Sequence, residues 1–213
     1  MAQRVILVGG GGHARVVSEA ILANPDVFVL VGFVDPLAPD SVSAFAVPHL
    51  GDDTALERYP DVALVLGIGA VGPPRARRAA VDRLGARWQW ASVVHPQSYI
   101  SPSANLEEGV VVLPHAMLNA GVRVGSHSLV NSGAIVEHDT LLGKHVLIGP
   151  GAVVGGDVVI GDAAVVGLAA IIRNGVRIGG GAVIGMGAVV VRDVMAGSTV
   201  LGNPARARGL GDF

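Results

Sequence analysis

The sequence contains no cysteine, which excludes disulfide bonds and thiolate metal sites. Aromatic residues make up only 4% of the 213 residues although 51% are hydrophobic, so the core must be built from small branched side chains. The formal net charge of −2 gives no electrostatic footprint for nucleic acid or an anionic membrane surface. These absences exclude disulfide scaffolds and argue against nucleic-acid binders.

Long apolar runs are also lacking, although the mean hydropathy is +0.57. The longest run, residues 163–172, falls far short of the roughly 20 residues that a membrane-spanning helix needs. The N-terminal segment MAQRVILVGGGG has no cleavage pattern of a secretory signal. We therefore expect a cytoplasmic protein.

Glycine is abundant, at 31 residues, and many of these glycines fall within a six-residue repeat. Every sixth residue from Ile100 to Val190 is aliphatic, and a small or β-branched residue follows each of them four positions later. No helix has a period of six. Three short strands and turns per coil predict a parallel β-helix of triangular cross-section with about five coils.

The first 95 residues have a different pattern, of apolar strands that alternate with helical spacing. RVILV, residues 27–34 and residues 62–67 are predicted strands, whereas residues 13–23 and 75–84 have helical spacing. This order predicts a small Rossmann-like α/β domain with a parallel sheet. We expect this domain over residues 1–95, the β-helix over 96–203 and a capping tail over 204–213.

A glycine-rich turn, GGGGHA, follows the first predicted strand and opens the first helix. Its Gly9-x-Gly11-x-x-Ala14 spacing fits the loose dinucleotide fingerprint, in which a phosphate approaches the backbone at a helix N-terminus. Asp35 ends the second strand, where an acidic side chain can hold a ribose hydroxyl. Because the domain is small, a mononucleotide diphosphate fits better than a dinucleotide. A turn that needs glycine for steric reasons alone is the alternative.

Ionisable side chains interrupt the repeat at EHDTLLGKH, residues 137–145. His138 lies two positions after the inward Val136 and is followed by Asp139, an arrangement typical of a general base oriented by a carboxylate. Glu137 is an alternative orienting group. His127 and His145 are one coil apart and should stack, with His127 expected as a solvent-facing turn residue.

A zinc site is not expected, because His138 and His145 are seven residues apart and no third ligand has a suitable spacing. After the last coil, GNPARAR places Arg206 and Arg208 where they could bind phosphates. A capping segment without a ligand is the alternative for this stretch.

With these motifs, the chain resembles the sialic acid O-acetyltransferase/nucleotide-sugar N-acetyltransferase family. The resemblance rests on the glycine-rich turn, Phe-Val-Asp at 33–35, Val-His-Pro at 94–96 and the EHDTLLG…GPGA stretch. It implies a left-handed β-helix and a homotrimer with active sites between subunits. It also implies acetyl-CoA as co-substrate, a nucleotide-linked amino sugar as acceptor and no metal.

The resemblance further implies roles for individual residues. His138 would be the general base and Asp139 its partner. The nucleotide sugar would be bound by Gly11, Gly12, His13, Asp35, Pro36 and Gly67. Acetyl-CoA would be bound by His145, Leu147, Gly156, Leu168, Met186 and Arg206. Leu147 occupies the position where the family often has a second histidine, and His145 is its possible substitute.

The sequence thus predicts direct transfer of an acetyl group from acetyl-CoA to the amine of a nucleotide-linked amino-deoxysugar, of the UDP-4-amino-sugar or GDP-perosamine type. Two alternatives stay open. One is O-acetylation of sialic acid or another free sugar on the same scaffold. The other is a trimer that binds nucleotide sugars without catalysis.

Overall fold

A computed structural model describes residues 1–37, 47–70 and 72–207 of the chain. Its N-terminal part is a three-stranded parallel sheet in the order β2–β1–β3. The elements are β1 (Gln3–Val8), α1 (Gly12–Leu22), β2 (Phe28–Val34), β3 (Ala63–Leu66) and α2 (Arg75–Leu84), with 3₁₀ turns at Asp53–Arg58 and Gly85–Arg87. The predicted parallel sheet is confirmed.

Strand β1 is apolar throughout its second half because both faces of the sheet are covered. Val5 and Leu7 pack with the apolar side of α1, whereas Ile6 and Val8 pack in a second cluster around Leu56. A parallel strand covered on both sides reads as a continuous hydrophobic run, as VILV does here.

The rest of the described chain is a parallel β-helix with three faces. Neighbouring strands of a face are 18 residues apart, except for the last parallel pair of face 1, which is 16 residues apart. Face 1 contains β4 (Val93–Val94), β7 (Val111–Val112), β10 (Leu129–Val130), β13 (Leu147–Ile148), β16 (Val165–Val166), β19 (Val183–Ile184) and β21 (Thr199–Leu201). Face 2 contains β5 (Tyr99–Ile100), β8 (Met117–Leu118), β11 (Ile135–Val136), β14 (Val153–Val154), β17 (Ile171–Ile172) and β20 (Val189–Val190). Face 3 contains β6 (Asn105–Leu106), β9 (Arg123–Val124), β12 (Leu141–Leu142), β15 (Val159–Ile160) and β18 (Arg177–Ile178). Strand β22 (Arg206–Ala207) pairs antiparallel with β21.

The interior of the β-helix is filled by the two rows of the six-residue repeat. The second residue of each strand points inward, and the small residue at the following corner fills the space beside it, so both rows belong to one buried cluster. The three faces together have 18 strands, which gives six stacked coils where the sixteen repeats predicted about five. The additional coil comes from the end strands, such as β4 and β21, that lie outside the strict repeat.

The N-terminal sheet and α1 pack on the outward side of face 1. Val111, Leu129 and Leu147 of face 1 are buried in one cluster with Leu7 and Val17. The three corners of the β-helix are therefore not equivalent. Corner 1/2, which joins faces 1 and 2, and corner 3/1 flank the N-terminal part, whereas corner 2/3 lies opposite to it.

Candidate functional site

The His138–Asp139 pair lies at corner 2/3, on the turn between β11 and β12. Nδ1 of His138 and Oδ2 of Asp139 are 3.0 Å apart, and both side chains are largely exposed, at 56% and 70%. Asp139 has a φ of 58°, the left-handed conformation that Asp tolerates better than most residues. The turn thereby directs the carboxylate back onto the ring that precedes it.

Two glycines on neighbouring coils make room for this pair. A Cβ at Gly121, one coil before, would lie 2.6 Å from Oδ1 of Asp139. A Cβ at Gly156, one coil after, would lie 2.5 Å from Nε2 of His138. The ring and the carboxylate therefore rest on bare backbone on either side, which fixes their position along the axis of the β-helix.

Asp139 also determines the protonation of the ring. Its hydrogen bond is the main cause that raises the pKa of His138, and the negative charges of Asp139, Glu137 and Asp157 act in the same direction. Glu137 also accepts a 3.3 Å hydrogen bond from the backbone N–H of His138. With Nδ1 bonded to Asp139, the neutral imidazole presents the lone pair of Nε2. The corner thus carries a more basic and oriented imidazole, as a general base requires.

The glycine-rich turn leads into α1 without a capping side chain. The N-cap residue is Gly11, which has no side chain to cap the first turn of α1, and among the described residues nothing would lie within 4 Å of a Cβ at Gly11 or Gly12. The carboxylate of Asp35 accepts hydrogen bonds from the backbone N–H of Gly10, at 2.7 Å, and of Leu37, at 2.9 Å. Pro36 is exposed beside it. The hydrogen bond from Gly10 to Asp35 joins the turn before α1 to the segment after β2. The predicted nucleotide-binding residues other than Gly67 therefore lie together at this end of the sheet.

His13 lies at a cavity between the N-terminal part and the β-helix. The cavity has a volume of about 360 Å³ and is lined by His13, Gly69, Ala70, Leu129 and Asn131. Burial is the main cause that lowers the pKa of His13 to about 4, and the nearby Arg77 charge adds to it. His13 is therefore neutral at physiological pH and can donate or accept a hydrogen bond.

Gly67 does not line this cavity. It is buried, and a Cβ there would lie 2.8 Å from Leu7 and 3.1 Å from Ala14, so glycine serves the contact of the sheet with α1. Gly69, two residues later, lines the cavity instead. Asn131 was missed because a single Asn in a turn of the repeat has no distinguishing signal.

His127 and His145 stack at corner 3/1, as predicted, with ring centroids 5.2 Å apart. The expectation that His127 faces solvent was wrong: it is 6% exposed, because the edge of Trp90 packs on the ring. Burial is the main cause that lowers the pKa of His145 to about 4. The structure thus places His145 at another corner than His138.

The other predicted acetyl-CoA residues are distributed over different parts of the β-helix. Leu168 and Met186 are exposed and lie one coil apart at corner 1/2. Gly156 lies at corner 2/3 beside His138, and Arg206 is exposed on β22. Leu147 is only 4% exposed, because it packs under the N-terminal sheet. Arg208 lies outside the described residues.

No group of three or more His, Asp or Glu side chains in residues 1–37, 47–70 and 72–207 is arranged to hold a metal ion. Among the same residues, no helix combines the length and the apolar character that a membrane crossing needs.

Two family models match the chain. The PglD N-terminal domain matches residues 4–84, and the bacterial transferase hexapeptide repeat matches residues 139–167.

Solved structures match the whole chain. Perosamine N-acetyltransferase from Caulobacter crescentus is 33% identical over 98% of both chains, with a TM-score of 0.86. It was solved with CoA and GDP-perosamine, in a variant with one histidine replaced by asparagine. The acetyltransferase domain of PglB from Neisseria gonorrhoeae, solved with acetyl-CoA, is 33% identical over 98% of this chain and all of that one, with a TM-score of 0.88. The chain belongs to the sialic acid O-acetyltransferase/nucleotide-sugar N-acetyltransferase family.

The chain is also similar to a protein whose name states its activity. It is the UDP-N-acetylbacillosamine N-acetyltransferase of Bacillus subtilis, 30% identical over 114 residues, which are 52% of this chain and 51% of that enzyme. The match thus spans about half of the length of the curated relative. The family predicted from the sequence motifs is confirmed.

Proposed function

We propose that this protein transfers the acetyl group of acetyl-CoA to the amino group of a nucleotide-linked amino sugar. The observation that carries the proposal is the exposed His138–Asp139 pair, whose 3.0 Å contact leaves Nε2 available as a base. The glycine-rich turn and the cavity at His13 supply a separate place for a nucleotide sugar. The relatives with GDP-perosamine and acetyl-CoA support this choice of substrates.

The proposed reaction is a direct transfer without an acyl-enzyme, since the chain has no cysteine and no serine beside His138. The amine attacks the thioester carbonyl carbon, a C–N bond forms, and Nε2 of His138 takes a proton from the nitrogen. The C–S bond then breaks, and the proton held by His138 passes to the sulfur of the departing CoA. Backbone N–H groups of the glycine-rich edge near Gly156 would stabilise the oxyanion.

The base and the nucleotide cavity are at different places on one chain. The cavity lies where the N-terminal part meets face 1, whereas His138 projects from corner 2/3. A substrate bound at the cavity would therefore have to extend around face 2 to meet the base of the same chain. We infer that a second copy brings its His138 to the cavity, so that each active site is shared by two subunits.

Face 2 supplies the surface for such an assembly. The first residue of each of its strands points outward and is apolar in every coil: Tyr99, Met117, Ile135, Val153, Ile171 and Val189. A continuous apolar stripe is unusual on the outside of a monomer and marks an interaction site. Because the stripe runs beside corner 2/3, a subunit that covers it also encloses the cleft at His138. We propose the closed ring of three subunits that the family predicts.

Acetyl-CoA would then lie in a cleft between subunits. The contacts that we retain in this proposal are Gly156 beside the base, Arg206 near the end of the β-helix, and the exposed Leu168 and Met186, which lie at corner 1/2 and would come from the neighbouring subunit. Leu147 is buried inside the chain and His145 is at corner 3/1, so neither supports the cleft at His138.

The proposal is tested with a panel of UDP- and GDP-linked 4-amino sugars, scored by release of the CoA thiol. We expect turnover with at least one of them and a loss of about 10²–10⁴-fold in kcat for His138→Ala, with nucleotide binding retained. Free sialic acid in the same panel tests O-acetylation. Turnover of the free sugar alone, or full activity of His138→Ala, would contradict the proposal.

A further inference from the structure

We propose that Arg77 is a positioning residue that holds the wall of the nucleotide-sugar cavity in place against the β-helix. The kinetic part of this inference rests on the proposed function. Arg77 lies on α2 and does not line the cavity, yet its guanidinium contacts both structures between which the cavity forms.

The contacts of Arg77 join the two parts of the chain. Nη1 donates a hydrogen bond to the carbonyl oxygen of Ile68, in the loop after β3. Nη2 donates a 3.1 Å hydrogen bond to the carbonyl oxygen of His127, at corner 3/1 of the β-helix. One rigid, planar group therefore bridges the loop that leads into the cavity and the neighbouring corner of the β-helix.

Arg77 is an unusual side chain to find in this position, since it is 0% exposed. It forms none of the ion pairs found among the described residues, and its Nε has no hydrogen-bond partner there. Burial lowers the pKa of Arg77 to about 10, so it remains charged at physiological pH. A buried cation without a carboxylate is costly, and an apolar side chain would fill the same space at lower cost. Packing alone therefore does not account for arginine here.

The loop held by Arg77 is in direct contact with His13. A Cβ at Gly69, the residue after Ile68, would lie 2.8 Å from Cβ of His13, so the loop backbone packs against this side chain. Gly69, Ala70 and His13 together form the N-terminal side of the cavity, and Leu129 and Asn131 form the β-helix side. A shift of the loop would therefore change both the width of the cavity and the position of the His13 ring.

The test uses the full chain with Arg77→Met, which keeps the volume and removes the donors, and Arg75→Met as the matched control on the exposed side of α2. For Arg77→Met we expect the KM for the nucleotide sugar and the Kd for UDP or GDP to rise about 10- to 100-fold, which corresponds to a loss of about 1.4–2.8 kcal/mol of binding free energy when the cavity wall shifts. The KM for acetyl-CoA and kcat at saturation should change less than about twofold, since Arg77 is remote from His138. Arg75→Met should match the parent protein in all of these constants.

Hydrogen exchange distinguishes positioning from general stabilisation without any catalytic assay. In Arg77→Met the amides of residues 68–70 should exchange faster while those of β1 keep their protection. Arg77→Lys is the milder variant, because an ammonium group cannot span both carbonyls and should restore nucleotide binding only in part. If Arg77→Met does not fold, the nucleotide affinity and hydrogen exchange of Arg77→Lys test the positioning role instead.

Loss of protection throughout the N-terminal sheet with unchanged nucleotide affinity would overturn the proposal and leave Arg77 as a stabilising residue only. Unchanged affinity and exchange in Arg77→Lys would overturn it as well. If the parent protein transfers no acetyl group, the proposed function fails. The Kd for UDP or GDP and the exchange of residues 68–70 then still decide the role of Arg77.

Discussion

Gly156→Ala would test whether the bare backbone beside the His138 ring fixes the orientation of the base. The new methyl carbon would lie 2.5 Å from Nε2 and 2.7 Å from Cε1 of His138, where ordinary contacts begin near 3.4 Å. The ring must therefore move by about 1 Å, an error that typically lowers the rate of an oriented reaction about 100-fold.

The cost of this movement falls on catalysis and not on stability. His138 is exposed, so the ring can rotate away without disturbing the core, and the free energy of unfolding should change by less than about 0.5 kcal/mol. We expect kcat for acetyl transfer to fall about 100-fold. The melting temperature should stay close to that of the parent protein.

Gly175→Ala is the matched control for this measurement. Gly175 is at the same corner, one coil further on, and a Cβ there would meet nothing within 4 Å. Its φ of 72° makes alanine more strained at this position than at Gly156, by about 1 kcal/mol. Equal kcat values for Gly156→Ala and the parent protein, or an equal loss in both variants, would refute the reasoning.

Three further predictions concern the base, the core and the proposed assembly. The hydrogen bond to Asp139 raises the pKa of His138, and the base must be neutral to act. Asp139→Asn should therefore lower that pKa and move the acid limb of the kcat/KM profile to lower pH. An acid limb that does not move in the pH–rate profile would exclude Asp139 as the partner of His138. Leu147→Ala should lower the free energy of unfolding in urea by about 2–5 kcal/mol without a change in the KM for acetyl-CoA, since the side chain is in the core. A raised KM for acetyl-CoA with unchanged stability would instead make Leu147 a contact of acetyl-CoA. Ile171→Glu, which places a charge in the apolar stripe of face 2, should yield monomers in analytical ultracentrifugation. The control variant Arg177→Glu, on face 3, should keep the assembly of the parent protein. An intact trimer with Ile171→Glu would show that face 2 is not the interface.

The fold could be predicted from the sequence because its signals are local and repeated. Each aliphatic residue of the six-residue repeat points to the interior for the same steric reason, so a position such as Val136 is read together with all of its equivalents. Helix α2 was predicted at its observed bounds, residues 75–84, although its buried side includes Arg77. The His138–Asp139 contact followed in the same way from two adjacent residues on a tight turn.

The features that escaped the sequence depend on contacts between distant segments. His127 has the spacing of an exposed turn residue, and only the docking of Trp90 buries it. The sequence gives no signal that separates Gly67 from Gly69, yet Gly67 packs under α1 and Gly69 lines the cavity. Leu147 was assigned by its distance from His138 along the chain, whereas its strand turns it towards the N-terminal sheet.

Subunit mixing tests the central proposal, a site shared between two chains, most directly. His138→Ala lacks the base, and the double variant His13→Ala/Asn131→Ala lacks the polar side chains that line the cavity. Unfolded together and refolded at equal concentrations, the two inactive proteins should recover about one quarter of the parent activity, because one site in four combines an intact base with an intact cavity. No recovery, from mixed oligomers verified by mass spectrometry, would contradict a site formed between subunits.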